Sequence, residues 1–212
     1  MIYTDDWAFL HIPKNAGVNF KRRVPKELVR GSNYLPKNIK SKDYYYWHQP
    51  ISYQLKNIPQ LNKLPWITII RHPADRLLSW FYFIKRRLKN FNMSDWEITF
   101  EEFIVNDGLK EFYNKGINGV NPWPTFVSEE GLWKPYDLQC KWIYELNNIH
   151  INYFRIEDEL EKMENYVGFK FVDTNYNSDI AYKFWEDFYT NEMREIVYSQ
   201  YKEDYERLGY AA

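Results

Sequence analysis

The sequence predicts an α/β fold in which a central, mostly parallel sheet is flanked by helices. Three short apolar runs carry this prediction, and each is followed by a stretch with helical periodicity; they lie at residues 7–12, 66–70 and 149–154. Strands that alternate with helices favour parallel pairing, because each helix returns the chain to the same end of the sheet. The 212 residues suit a single domain over residues 1–212.

The first run, WAFLHI, ends at Pro13, whose missing N–H stops a buried strand. Residues 17–30 then show a helical pattern, and the polar, basic stretch 30–44 is expected to be a loop. A short strand at 44–47 and a brief helix over 50–57 follow. This part of the chain therefore forms the first strand-then-helix unit.

The second run, WITII, is rich in β-branched residues and predicts a buried strand at 66–70. Pro73 suits the first position of the helix that comes next. Apolar residues recur along that helix at helical spacing and predict one buried face, formed by Leu77, Phe81, Ile84 and Leu88.

The remaining sequence predicts four helices and one long loop. The helices are expected at 100–106, 137–146, 157–165 and 190–208, the last with Thr190 as its N-cap. The stretch 108–135 is rich in Gly, Pro and Trp, and we expect a surface loop or lid there that shapes the acceptor side of a site.

Composition excludes several classes of function. The 28 basic and 29 acidic residues nearly cancel, so no overall field attracts nucleic acid or an anionic membrane. Cys140 is the single cysteine, which excludes an intrachain disulfide and a cysteine-based zinc site and suits a reducing compartment. No apolar run reaches the length of a bilayer span. We therefore expect a cytoplasmic protein without nucleic-acid or membrane partners.

Basic residues follow each of the three strands. Ligands of parallel sheets bind where strands end, so Lys14, Arg71 and Arg155 are expected along one rim. Residues 13–19, PKNAGVN, offer backbone N–H groups at a helix start beside a lysine, which is typical of a phosphate cradle. The Walker A pattern is absent, because the lysine precedes the small residues. No set of Mg²⁺ ligands surrounds Lys14, which disfavours phosphoryl transfer and leaves no expected metal.

Four stretches resemble blocks of one enzyme family in the same order. HIPKNAGVNF at 11–20 resembles the loop that binds the 5′-phosphosulfate in the carbohydrate sulfotransferase family. That family contains Golgi 2-O- and chondroitin-type enzymes and soluble bacterial or viral relatives. IIRHPADRLLSWFYF at 69–83 resembles the block that binds the 3′-phosphate, and further similarity lies at 153–160 and 189–210.

The resemblance implies a three-layer, P-loop-like sulfotransferase fold and a reaction. The donor would be PAPS, 3′-phosphoadenosine 5′-phosphosulfate, and the product PAP, with no metal. The acceptor would be a hydroxyl of a carbohydrate or another small molecule. The resemblance assigns donor binding to Lys14, Asn15, Ala16, Gly17, Val18, Asn19, Arg71, Ser79 and Arg155.

Two residues are expected to take part in the transfer itself. Charge builds on the bridging oxygen as the sulfur departs, and the ammonium of Lys14 would stabilise it. His48 precedes the second strand by about the interval at which 2-O-sulfotransferase-like relatives place their catalytic histidine. It is therefore the expected base for the acceptor hydroxyl, with an acidic residue as the alternative.

Departures from the family pattern keep two other functions open. Asn15, Ala16, Val18 and Asn19 stand where the family often has Thr, Gly, Thr and Ser, so the loop lacks hydroxyls that the family pattern supplies. A protein that binds PAP or a nucleotide without catalysis is one alternative. A tyrosyl-protein sulfotransferase is the other. Because no leader or anchor segment is evident, a bacterial or viral origin is the simpler expectation.

Overall fold

A computed structural model describes most of the chain; the described residues are 2–32, 48–90, 97–115, 126–128, 131–134, 136–170 and 185–211. The chain forms two compact units, Met1–Arg71 with Thr125–Tyr176 and His72–Pro124 with Asn177–Ala212. The first unit contains the sheet, and the second is helical among its described residues. The short strand predicted at 44–47 lies outside the described residues.

The strands of the described chain are short, and they are β1 (Ile2–Tyr3), β2 (Ala8–Phe9), β3 (Gly31–Ser32), β4 (Trp66–Ile70), β5 (Phe126–Ser128), β6 (Gly131–Trp133) and β7 (Ile151–Arg155). The α-helices are α1 (Gly17–Arg23), α2 (Ile51–Asn57), α3 (Pro73–Asn90), α4 (Phe100–Val105), α5 (Gly108–Lys115), α6 (Gln139–Ile143), α7 (Leu160–Val167) and α8 (Asn191–Leu208). The helices predicted over 50–57 and 100–106 are confirmed within a residue or two, and the helix predicted to begin at Pro73 does so.

The main sheet has the order β3-β1-β2-β4-β7 and is mixed. Strands β2, β4 and β7 pair in parallel, as the strand-then-helix pattern predicts. Strands β1 and β3 add antiparallel pairs at one edge, which the sequence analysis missed. The protein is therefore a mixed α/β structure with a sheet flanked by helices, and only part of that sheet is parallel.

The core of the first unit lies on one face of this sheet. Phe9, Ile67 and Ile69 point from neighbouring strands toward Phe20 of α1 and Met163 of α7. All five are at most 2% exposed, and the rings of Phe9 and Phe20 lie 4.3 Å apart. Burial of each such side chain stabilises the fold by about 1.5–3 kcal/mol. This packing fixes the direction in which β2 enters α1.

Local chemistry sets several helix ends. The helix predicted over 17–30 ends at Arg23, because Pro25 forces Val24 into an extended conformation. In the second unit, Thr99 and Glu102 form a reciprocal capping box at the start of α4. The Thr190 hydroxyl accepts from Met193 N at 3.2 Å, which confirms the predicted cap of α8.

The stretch 108–135, expected to be a loop or lid, contains regular structure. It begins with α5 and includes the antiparallel hairpin of β5 and β6. The sequence analysis missed α5 because this helix is short and has few apolar side chains. Two of them, Leu109 and Phe112, are buried. Likewise the helix predicted over 137–146 is reduced to α6. Within the described residues, no helix is both long and apolar enough to cross a membrane.

Candidate functional site

The loop between β2 and α1 has an unusual backbone. Lys14 and Ala16 both adopt left-handed conformations, with φ of 68° and 57°, although neither is glycine. Each such residue costs about 1–2 kcal/mol and persists only when its surroundings hold it. Anion-binding nests are built from residues that alternate between left- and right-handed conformations, and two left-handed residues separated by one residue are compatible with such a nest. The phosphate cradle predicted at 13–19 thus has a backbone suited to an anion.

Asn15, between the two left-handed residues, ties this loop to the sheet. Its side-chain Nδ2 donates to the Ile69 carbonyl at 2.9 Å and to Gln139 Oε1 at 2.6 Å. The residue is 1% exposed. The side chain of Asn15 therefore has a structural role, and a contact of this residue with PAPS stays a prediction.

Gly17 allows the ring of His11 to lie against the start of α1. A Cβ at this position would overlap the His11 ring, so no larger residue fits without a shift of the ring. His11 is 4% exposed. Burial lowers the pKa of His11 well below its usual value, and the charge of His48 adds to this effect. His11 is therefore neutral at physiological pH and serves as a packing residue.

His48 lies directly beside His11. The ring centroids are 4.0 Å apart, and His48 Nδ1 is 2.9 Å from the His11 carbonyl oxygen. A carbonyl only accepts hydrogen bonds, so His48 Nδ1 carries the proton and donates it. The neutral ring is then the tautomer in which Nε2 holds the lone pair, and a general base needs such a lone pair to accept a proton.

Glu145, which the sequence analysis missed, fixes the helix that follows His48. Its carboxylate accepts from Ile51 N at 2.5 Å and from Ser52 N at 3.3 Å, and it also accepts from the Ser52 hydroxyl. These bonds cap the start of α2. Because Ile51 is three residues from His48, the cap also limits where His48 can lie. Nothing in the sequence pattern signals a cap supplied from 93 or 94 residues away.

Arg71 follows β4 and reaches the same loop. Its guanidinium Nη1 donates to the Lys14 carbonyl at 3.3 Å. The Arg71 backbone is held on both sides by Gln139, whose Oε1 accepts from Arg71 N at 2.9 Å and whose Nε2 donates to Arg71 O at 2.8 Å. The structure thus brings the predicted residues Lys14 and Arg71 together at the ends of adjacent parallel strands.

The other predicted residues differ in their surroundings. Val18 and Asn19 are half-buried in the first turn of α1. Arg155 pairs in register with Ile70 on the neighbouring strand, and its Nε bonds Asp158 at 2.9 Å. Ser79 is half-buried on α3, in the second unit. The nucleotide contacts of Ser79 and Arg155 stay predictions.

Comparison of the chain with family models, with curated proteins and with solved structures finds no match in any of the three. The site combines a loop with two left-handed residues, an ammonium, a guanidinium and an imidazole with a basic nitrogen, all within the first unit. Such a set can bind an anion and remove a proton beside it.

Proposed function

We propose that this protein transfers the sulfuryl group of PAPS to a hydroxyl of a carbohydrate or another small acceptor, leaving PAP. One observation supports this most: the Arg71 guanidinium bonds the Lys14 carbonyl in the left-handed loop, and His48 bonds the carbonyl of His11, three residues before Lys14. The four sequence blocks that resemble carbohydrate sulfotransferases add to it. We propose the P-loop-like sulfotransferase fold on the same resemblance, and a cytoplasmic location because the single cysteine, Cys140, suits a reducing compartment.

The loop and Lys14 are proposed to bind the sulfonated end of the donor. The S–O bond to the phosphate breaks as the bond from sulfur to the acceptor oxygen forms, so negative charge moves onto the phosphate oxygen. An ammonium beside that oxygen stabilises the transition state more than the ground state. The backbone N–H groups of the nest act in the same direction and replace the hydroxyls that the loop lacks.

His48 is proposed to take the proton of the acceptor hydroxyl. Its Nδ1–H is engaged by the His11 carbonyl, so Nε2 is the nitrogen that accepts. The buried neutral His11 adds no charge that would oppose protonation of His48 during transfer. Arg71 and Ser79 are proposed to bind the 3′-phosphate, with Arg155 on the nucleotide side.

The test is release of PAP from PAPS in the presence of a panel of oligosaccharides, together with calorimetric binding of PAP. The wild-type protein should bind PAP and form sulfated product without added metal. Arg71→Met should weaken PAP binding about tenfold or more, because a charge-assisted contact is lost. Arg22→Met, at an exposed position of α1, is the matched control and should bind normally. Absence of PAP binding by the wild type would refute the proposal.

A PAP-binding protein without turnover is the second candidate. The observation that favours it is the inward side chain of Asn15, which together with Ala16, Gly17 and Val18 leaves residues 15–18 without a side-chain donor for a ligand. Tight PAP binding combined with no sulfated product on any hydroxyl or tyrosyl-peptide acceptor would favour this candidate. Product on the peptide alone would instead indicate a tyrosyl-protein sulfotransferase.

A further inference from the structure

Gln139, the first residue of α6, joins the two cationic parts of the site through one side-chain amide. It is fully buried, at 0% exposed. Its Oε1 accepts from both Arg71 N and Asn15 Nδ2, and its Nε2 donates to Arg71 O. The Asn15 amide in turn donates to the Ile69 carbonyl. A chain of buried amide bonds thus runs from the loop to the end of β4.

The orientation of both amides is determined by their backbone partners. Arg71 N can only donate, so the Gln139 atom facing it is oxygen. The carbonyls of Arg71 and Ile69 can only accept, so the groups facing them are Gln139 Nε2 and Asn15 Nδ2. Neither amide can be rotated by half a turn without placing like groups together. The network therefore requires an uncharged donor and acceptor at position 139.

This network has a cost that stability alone does not explain. Asn15 Oδ1 is buried and makes no hydrogen bond with any described residue. A buried polar atom in this state destabilises the fold, so its retention calls for another reason. Asn15 lies between the left-handed Lys14 and Ala16, and holding its side chain inward is what keeps that backbone turned.

We propose that Gln139 is a positioning residue that holds the loop and Arg71 in the geometry that binds an anion. This inference rests on the anion site of the proposed function, and it adds a residue that touches neither donor nor acceptor. Gln139 acts through Asn15 on the nest and through the Arg71 backbone on the direction of the guanidinium. Loss of the amide should weaken anion binding more than it weakens the fold.

The experiment uses Gln139→Glu and Gln139→Met in the full chain, titrated with inorganic phosphate and with PAP. A carboxylate at position 139 faces the Arg71 carbonyl and repels it, whereas the protonated acid reproduces the donor and acceptor of the amide. Burial raises the pKa of such a carboxyl and brings this change into an accessible range. At about pH 8, Gln139→Glu should bind each anion about tenfold more weakly than the wild type, and near pH 5.5 the difference should largely vanish. Gln139→Met should bind weakly at both pH values.

Thr68→Val is the matched control for a purely structural effect. It removes a buried 2.7 Å bond from Thr68 Oγ1 on β4 to the carbonyl of Leu10, the residue that follows β2, and a longer 3.4 Å contact with the Ile69 carbonyl, but it leaves the bonds of Gln139 to Arg71 and Asn15 in place. It should lower the melting temperature yet bind phosphate like the wild type at both pH values. If Gln139→Glu does not fold at about pH 8, the comparison of Gln139→Met with Thr68→Val decides in its place.

The outcomes separate this inference from the proposed function. Phosphate binding that is weakened in the Gln139 variants, with the recovery of Gln139→Glu at low pH, supports the inference even if PAP fails to bind and the proposed function falls. Wild-type affinity in both variants overturns it. Weak binding by Gln139→Glu that does not recover at low pH also overturns it. If the wild type binds neither anion, both proposals are wrong.

Discussion

The turns that follow β2 and β7 occupy equivalent places in the sheet but differ in charge. Each follows a parallel strand and leads into a helix of the first unit. After β7, Arg155 bonds Asp158, and Glu159 Oε2 accepts from Arg155 N at 3.0 Å. Between residues 7 and 26, by contrast, the sequence has five basic residues and no acidic one.

The difference shows that turns in equivalent places of one sheet can differ in chemistry. Carboxylates of the chain itself occupy the turn after β7, and the turn after β2 is proposed to bind an anion. After β7 the chain supplies its own carboxylates to the backbone N–H and to the guanidinium. After β2 it supplies none, and the buried Asn15 amide ties the loop to Ile69 and Gln139 instead. An anionic ligand should therefore bind at the first turn and not at the second.

The largest expected effect concerns His48, the proposed base, which bonds the His11 carbonyl ahead of the turn after β2. His48→Asn should lower turnover by about 10²–10⁴-fold, because proton removal from the acceptor is lost, while PAP affinity stays within about twofold. His150→Asn, at the exposed position just before β7, should leave both quantities unchanged. Steady-state rates and PAP calorimetry measure the two quantities. Unchanged turnover in His48→Asn would exclude His48 as the base.

Lys14→Met should have the next largest effect. Removing one group that stabilises the leaving oxygen lowers turnover by about 10²–10³-fold. Lys162→Met removes an exposed lysine beside the β7 turn, which bonds Glu159 at 3.1 Å, and should cost less than twofold. Rates at saturating PAPS distinguish the two. Equal losses of turnover in Lys14→Met and Lys162→Met would contradict a special role for the lysine of the turn after β2.

Glycine substitutions compare the packing of the turn after β2 with that at the end of α7, the helix that follows the second turn. Gly17→Ala should lower the free energy of unfolding by about 2–3 kcal/mol, since the new Cβ overlaps the His11 ring. Gly168→Ala, at the end of α7 with φ of 78°, meets no atom within 4 Å. It should cost about 1–2 kcal/mol from backbone strain alone. Urea unfolding of both variants tests this order, and a larger loss in Gly168→Ala would contradict it.

The two turns should also lose stability in different pH ranges. Burial and the charge of His48 keep the pKa of His11 below its usual 6.5, so the unfolded chain binds that proton first as pH falls. The stability present above about pH 6.5 is then lost on acidification. Burial alone would raise the pKa of Glu159, but bonds from Arg155 and Lys162 outweigh it and leave the pKa below its usual 4.5. Its contribution is therefore lost only in stronger acid.

The measurement is the free energy of unfolding as a function of pH, in the wild type and in His11→Asn. His72 of the second unit contributes in the same upper range, because burial lowers its pKa too. The difference between the two proteins isolates His11. A difference that does not change between about pH 7 and pH 5 would show that His11 is not held neutral by the fold.

The smallest effect is expected for Arg155→Ala. Its guanidinium already pairs with Asp158 and lies 3.9 Å from Glu159, so little of its charge remains for a ligand. PAP affinity should fall by about twofold to threefold, well below the loss in Arg71→Met. Calorimetry with both variants makes the comparison. Equal losses would show that both turns bind the donor.

The outline of this site could be predicted from the sequence because strand ends and turn residues are local signals. The three parallel strands, the loop after Pro13 and the pairing of Lys14 with Arg71 at one rim all follow from such signals. Strands β1 and β3 have two residues each, too few for any periodicity. The roles of Gln139 and Glu145 depend on contacts between distant segments. In a single sequence, neither a glutamine nor a glutamate indicates that its side chain will bond the backbone of another segment.

The most direct test is a titration with PAP followed by NMR chemical shifts of the backbone amides and of the Arg71 side chain. We expect the amides of residues 14–19 and the side chain of Arg71 to shift with a common saturation curve, while the amides of residues 155–159 shift far less. Shifts centred on residues 155–159, or no shift in residues 14–19 at saturating PAP, would contradict the claim that the turn after β2 is the anion site.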